Sequence, residues 1–344
     1  MTPMKWSRAR RTAVGFLGAA AFAFSLAACD SGQAPASADA PAEVGSGETE
    51  IVYLQKQGDQ QYFVDQADGA KKKAAELGVK VTVVNLGTDS NKAISELDAA
   101  IARNVSGIIM VAPDQAIGPQ VIDKAKAAGI PFLASDDGLV DADGDAAPFV
   151  GFNGTQMGDS VGTKAAELYN DAAWTAADTK ILAVGKQDLS VCVQRIDGAN
   201  AAFEKGAADA PEVITIGTDN SVTDALNKAG AVITANQSVK NWVVYGCNDE
   251  SETGAVTALQ NAGVAPANIL GVGLGAYLTC KDWAASQDTG NKAALYISGV
   301  DVGSAAIEEM AAAIKNGADL PAETIADTHM VDASNFEAEG VVCT

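Results

Sequence analysis

Two doubly wound α/β lobes are the fold class this sequence predicts. Short apolar runs recur at regular spacing, helical periodicity fills the gaps between them, and the rhythm stops near Val150 and then restarts. Runs that are apolar on both faces and separated by helices mark parallel strands covered on both sides. Two successive sets of them call for two sheets.

The first set opens with Ile51-Val52-Tyr53-Leu54. A helical stretch follows and stops at Glu76-Leu77-Gly78, where the glycine suits a left-handed C-terminal cap. Val81–Val84 is the next strand, and Ile94, Leu97 and Ile101 lie at spacings of three and four, on one helix face. Gly107–Val111 is the third strand, Ile117, Val121 and Ala125 mark another helix, and Ile130–Ala134 is the fourth strand. Phe149-Val150 precedes the restart. The second set is Ile181–Val184, Val213–Ile216, Trp242–Tyr245, Ile269–Val272 and Ala293–Ile297, with helices between. A helix over 301–315 comes after it, and periodicity does not say which lobe it joins.

Ahead of the lobes, Lys5, Arg8, Arg10 and Arg11 form a charged start, and Ala13 to Ala23 is apolar. That is the layout of a secretory signal, too short to span a bilayer. Leu26-Ala27-Ala28-Cys29 resembles the lipobox of bacterial lipoproteins, which implies cleavage before Cys29 and lipidation of its thiol. Residues 30–48 are mainly Ser, Gly, Ala, Pro and Asp. They cannot bury enough apolar area to offset ordering entropy and read as a flexible leash. The expected organisation is a signal peptide at 1–28, a linker at 29–48 beginning at lipidated Cys29, and folded protein from 49.

Four of the 23 basic residues and none of the 44 acids fall in the leader, which leaves the rest of the chain at −25. Such a charge opposes nucleic acid and anionic lipid surfaces. Cys192, Cys247, Cys280 and Cys343 remain after Cys29. An even number in an oxidising compartment suggests disulfides, three pairings are open, and buried free thiols are the alternative. No two have zinc-site spacing.

Ligands bind beyond the carboxyl ends of strands in open parallel sheets. Five such ends carry polar and aromatic groups: Lys56, Gln57, Gln60, Tyr62 and Phe63 after the first strand; Asp136-Asp137 after the fourth; Phe152; Arg195; and Cys247-Asn248-Asp249. A carboxylate at a strand end can accept from two neighbouring hydroxyls of a sugar, and arginine can donate in a fork. Each group also has an ordinary structural use. Asp136 can cap a turn, Arg195 can sit on a solvated helix face, the aromatics can be core, and Asn248 can cap a helix.

Other chemistries lack support. Gly271-Val272-Gly273-Leu274-Gly275 lacks the third glycine at the spacing of a dinucleotide loop. Asp141, Asp143 and Asp145 alternate like a calcium loop, but Ala146 replaces the turn glycine, so a solvated acidic loop is expected. His329 is the single histidine and no nucleophile elbow is present, so no catalysis and no cofactor are expected.

Residues 50–340 resemble the sugar-binding lipoproteins and periplasmic proteins of ABC importers, with a type I periplasmic-binding-protein fold. The segments that carry the resemblance are Lys56-Gln57 with Tyr62-Phe63, Asp136-Asp137, Arg195 to Gly198, and Val239–Trp242 through Gly246-Cys247-Asn248-Asp249. The arabinose-binding branch is the nearest. The resemblance implies that Lys56 donates to sugar hydroxyls, Tyr62 stacks, Asp136 and Asp137 accept near the anomeric carbon, Arg195 donates to the ring oxygen, Asn248 donates to a far hydroxyl and Phe152 makes an apolar contact. Gln60 replaces an acid, Cys247 a methionine, and Gly275 and Leu278 stand where arabinose binders have an Asn and a sugar-contacting Asp. A different pentose, a hexose or a sugar alcohol is therefore as well accommodated as arabinose.

The resemblance further implies a three-segment hinge, a first lobe of 49–152 and 299–324, and a second of 153–298 and 325–344. It implies a monomer that closes on a monosaccharide and is then recognised by a membrane permease with its ATPase. It also suggests pairing Cys192 with Cys247 and Cys280 with Cys343. A nucleoside or signalling ligand on the same fold, or a chemosensory receptor, is the rival reading.

Overall fold

Val52, Leu54 and their neighbours are apolar on both faces of strand β1 (Glu50–Lys56), which is buried along its length after its first residue. That pattern places β1 inside a parallel sheet rather than at an edge. The computed structural model describes residues 49–343; the leader, Cys29, the leash 30–48 and Thr344 lie outside the described residues.

Alternation continues through α1 (Gln61–Leu77), β2 (Lys80–Gly87), α2 (Ser90–Ala102), β3 (Gly107–Met110), α3 (Gly118–Ala128), β4 (Phe132–Asp136) and β5 (Phe149–Gly151). Gly78 ends α1 in the left-handed conformation, with φ of 62°. β4 begins two residues later than the apolar run suggests, at the residue after Pro131, which lacks the N–H a ladder needs. The strand runs on to Asp136 and delivers that acid at its carboxyl end.

The second set is α4 (Gly154–Asp171), β6 (Thr179–Gly185), α5 (Ser190–Gly206), β7 (Glu212–Gly217), α6 (Val222–Ala235), β8 (Asn241–Gly246), α7 (Asp249–Asn261), β9 (Ile269–Gly275), α8 (Cys280–Ala284) and β10 (Asn291–Tyr296). Then follow α9 (Gly299–Asn316), β11 (Glu323–Ile325) and β12 (His329–Val331). Among the described residues there are two six-stranded sheets, in the orders β2-β1-β3-β4-β5-β11 and β7-β6-β8-β9-β10-β12. All pairings are parallel except β10 with β12. Helix α9 packs on α1 of the first sheet, where Gly69 approaches Val300 and Ser304 donates to the Gly69 carbonyl. β11 then joins the first sheet and β12 the second, so the chain passes between the sheets three times.

The glycine-rich run 271–275 is strand β9 itself and forms no nucleotide loop. Asp141 departs from the expected solvated loop. It is buried, and its Oδ1 accepts from the backbone N–H groups of Asp143 and Asp145, an Asx turn that closes the loop. Cys192 is bonded to Cys247 and Cys280 to Cys343. Among the described residues no helix is long and apolar enough to cross a membrane.

Candidate ligand-binding site

The carboxyl ends of the two sheets face each other across one cavity of about 60 Å³. The first lobe lends Lys56, Gln57, Gln60, Tyr62, Phe63, Asp136 and Asp137. The second lends Arg195, Asn220, Asn248 and Tyr277, with apolar Leu189, Val191, Leu274 and Ile297 and the sulfur-bearing Cys192.

One wall is charged. Lys56 Nζ lies 2.6 Å from Asp137 Oδ2, and the two side chains are 9% and 1% exposed. The other carboxylate oxygen of Asp137 has no protein partner. Asp136 sits at φ 63°, a left-handed conformation that aspartate adopts more readily than most residues. It accepts a 2.8 Å hydrogen bond from the Tyr62 hydroxyl. Burial and the neighbouring Asp137 charge push the Asp136 carboxyl above the ordinary range, while Arg195 and Lys56 pull it back. Arg195 Nη1 donates to the Cys247 carbonyl at 2.9 Å, and its buried Nε is without a partner. The Lys56 ammonium also lies 5.7 Å from the centre of the Phe63 ring.

The opposite wall is organised by a residue that does not itself line the cavity. Glu250 accepts from Gln60 Nε2 at 2.6 Å, from Asn248 Nδ2 at 2.7 Å and from the Tyr277 hydroxyl at 2.9 Å. Burial raises its carboxyl above the ordinary range, and the bond from Gln60 opposes that rise. Asn248 lines the cavity and caps a helix. Its Oδ1 caps α7 at Ser251 N, and its Nδ2 also donates to the Asn220 carbonyl.

Three of the predicted residues stand elsewhere. Phe152 is buried behind Tyr62, with ring centres 6.5 Å apart, and does not reach the cavity. Cys247 holds the wall through its disulfide and its carbonyl, while Cys192 presents the sulfur. Gly275 lines a neighbouring cavity instead. Tyr277 and Glu250 are additions. They follow the ends of β9 and β8, where the strand-end rule points, but Tyr277 lies between Gly275 and Leu278, the two positions that the resemblance singles out. Leu278 is half-buried and packs against the core.

This arrangement offers charged donors and acceptors to a ligand rich in hydroxyls. His329 is not part of it and lies on β12 against Glu339, at 3.1 Å. Among the described residues no group of three His, Cys, Asp or Glu side chains could hold a metal ion.

The model of the periplasmic binding protein domain matches residues 51–319. The ABC transporter L-arabinose-binding periplasmic protein of Azospirillum brasilense is 28% identical over 319 residues, 89% of this chain and 91% of its own length. The L-arabinose-binding periplasmic protein of Escherichia coli strain K12 is 24% identical over 69% of this chain and 73% of its own. Among solved structures, an ABC transporter periplasmic solute-binding protein from Actinobacillus succinogenes with bound D-allose aligns at a TM-score of 0.74. It is 22% identical and covers 85% of this chain and 100% of its own.

Proposed function

Because the chain belongs to the periplasmic binding protein family, we propose that it captures a monosaccharide, an arabinose-like pentose or a hexose, in the cavity between its lobes and delivers it to an ABC importer. The observation that carries this reading is the pair of unmatched polar atoms on the charged wall. Asp137 Oδ1 and Arg195 Nε are buried, lack protein partners, and belong to residues that line the same cavity. A free acceptor and a free donor on residues of one cavity suit a sugar hydroxyl and a ring oxygen, and leaving both unmatched is costly. Lys56, Gln57, Gln60, Tyr62, Phe63 and Asn248 complete the ligand set in this reading, and the protein performs no chemistry of its own.

The rest of the proposal concerns placement. The chain is exported, cleaved before Cys29 and held by lipid on the outer face of the cytoplasmic membrane, with residues 30–48 as the tether. It works as a monomer whose lobes, 49–152 with 299–324 and 153–298 with 325–344, close by a hinge motion and present the closed form to the permease and its ATPase.

A thermal-shift screen against pentoses, hexoses, sugar alcohols and nucleosides tests this function. A ligand that binds only the folded state raises the melting temperature by mass action. A saturable shift with one monosaccharide is expected. A shift with nucleosides alone would move the protein out of sugar recognition.

A further inference from the structure

Among the described residues, two neighbouring cavities lie between the lobes. The second is larger, about 140 Å³, and its lining includes Asp65, Gly275, Tyr296 and Ser298. Both are lined by Tyr62, Tyr277 and Ile297. Of these, Tyr62 is fixed to the charged wall through Asp136, and Ile297 is a short aliphatic chain. Tyr277 is the aromatic side chain that the second lobe contributes to the lining of both.

Three features hold it there. Its hydroxyl donates to Glu250, lying 3.0 and 2.9 Å from the two carboxylate oxygens. Glu250 is tied in turn to Gln60 of the opposite lobe. The loop that carries Tyr277 is pinned by Asp249, which accepts from Leu278 N at 2.6 Å and from the Thr279 hydroxyl at 2.6 Å. Gly275 leaves the space. Its φ is 139°, and a Cβ at that position would fall 2.6 Å from Tyr277 Cε1. A side chain at 275 and the observed position of the Tyr277 ring exclude each other.

We infer that Tyr277 is the residue that sets ligand size, by partitioning the cleft so that the first cavity takes a small single ring, and that Glu250 is the positioning residue that holds the partition. The inference rests on the sugar-binding reading above. It assigns Gly275 a spacer's role rather than a ligand contact.

Two matched pairs of pyranoses test it. L-arabinose and D-galactose differ by one hydroxymethyl group, and so do D-ribose and D-allose. Dissociation constants are measured by calorimetry for all four with the wild-type protein, Tyr277→Ala and Glu250→Gln. The wild type is expected to favour the pentose in the pair it binds. Tyr277→Ala is expected to move the pentose-to-hexose ratio at least tenfold toward the hexose, and Glu250→Gln at least threefold in the same direction.

Both variants keeping the wild-type ratio within twofold would overturn the inference, even if affinity fell for every sugar, because a merely structural role weakens all four alike. If Tyr277→Ala does not fold, the ratio in Glu250→Gln decides alone. A shift in Tyr277→Ala without one in Glu250→Gln would strip Glu250 of its role. Wild-type protein that binds none of the four, nor any pentose or hexose of the thermal-shift screen, would instead sink the pentose-or-hexose reading itself.

Discussion

Asp137 is almost fully buried and paired with Lys56 at 2.6 Å, so removing either partner strands the other. Truncating one member of a buried, hydrogen-bonded charge pair costs about 2–5 kcal/mol. Asp137→Ala is expected to weaken sugar binding by that amount, and Arg195→Ala, which removes a buried donor, by about 1–3 kcal/mol, read by calorimetry with the sugar found in the thermal screen; wild-type affinity in both would misplace the site. A different buried acid governs pH. Glu252 is fully buried, its Oε1 has no partner, and neither does Asn291 Oδ1. The two oxygens lie 2.2 and 3.1 Å from the point where a Cβ on Gly271 would stand, so two acceptors share one buried place, where a proton on Glu252 relieves them. Burial, helped by the charges of Asp249 and Asp282, pushes the Glu252 carboxyl well above its ordinary 4.5. The folded state therefore keeps a proton that the unfolded state releases above that value, and stability falls as pH rises. Glu252→Gln cannot titrate. It is expected to melt at least about 2 °C above the wild type at pH 8, with the gap closing toward pH 4–5; a gap constant with pH would mean the acid is not protonated in the fold. The charged wall was legible residue by residue, because strand ends mark it. Glu250 and Glu252 were not, since nothing in a run of first-turn acids says that the tertiary fold will bury all three.

Helix pairs behave as units because glycines let them touch. Gly158 on α4 has room for a hydrogen only: a Cβ there would lie 2.1 Å from the Arg195 carbonyl oxygen on α5. Gly158→Ala must push α5 away, and α5 carries Arg195. Overpacking of this kind costs about 1–3 kcal/mol, and the same displacement is expected to weaken sugar binding. Gly230, inside α6, meets nothing within 4 Å. Gly230→Ala is expected to stabilise the protein by about 0.5–1 kcal/mol through helix propensity and to leave affinity alone. Urea unfolding beside a sugar titration separates the two effects; equal outcomes for the two glycines would show that helix contact does not transmit to Arg195. Elements of the two main runs were readable because each strand is apolar and each helix carries one apolar stripe. β11 and β12 were not. Each has three residues at a sheet edge, and Glu323-Thr324-Ile325 and His329-Met330-Val331 carry no run long enough to signal a strand. The antiparallel pairing of β12 follows from the last pass of the chain, which a local pattern does not encode.

At the scale of the molecule, the site exists only where the lobes meet, and their meeting is held by few polar contacts besides the Gln60–Glu250 bond. Gln115, in the loop after β3, provides another. Its Oε1 accepts from Ser190 N at 3.1 Å and from the Ser190 hydroxyl at the start of α5, and its Nε2 donates to the Gly138 carbonyl at 3.0 Å. Neither Gln115 nor Ser190 lines the ligand cavity. The contact therefore bears on closure and not on what the cavity reads. A neutral hydrogen bond contributes about 0.5–1.5 kcal/mol net, and an exposed one falls at the low end. Gln115→Ala is expected to weaken every sugar by roughly twofold to tenfold, with dissociation faster in stopped-flow traces and the pentose-to-hexose ratio unchanged. That outcome is the complement of the one expected at Tyr277, where the ratio moves. If dissociation from Gln115→Ala matched the wild type, this bond would hold nothing closed, and the charged wall together with Gln60–Glu250 would have to account for the union of the lobes.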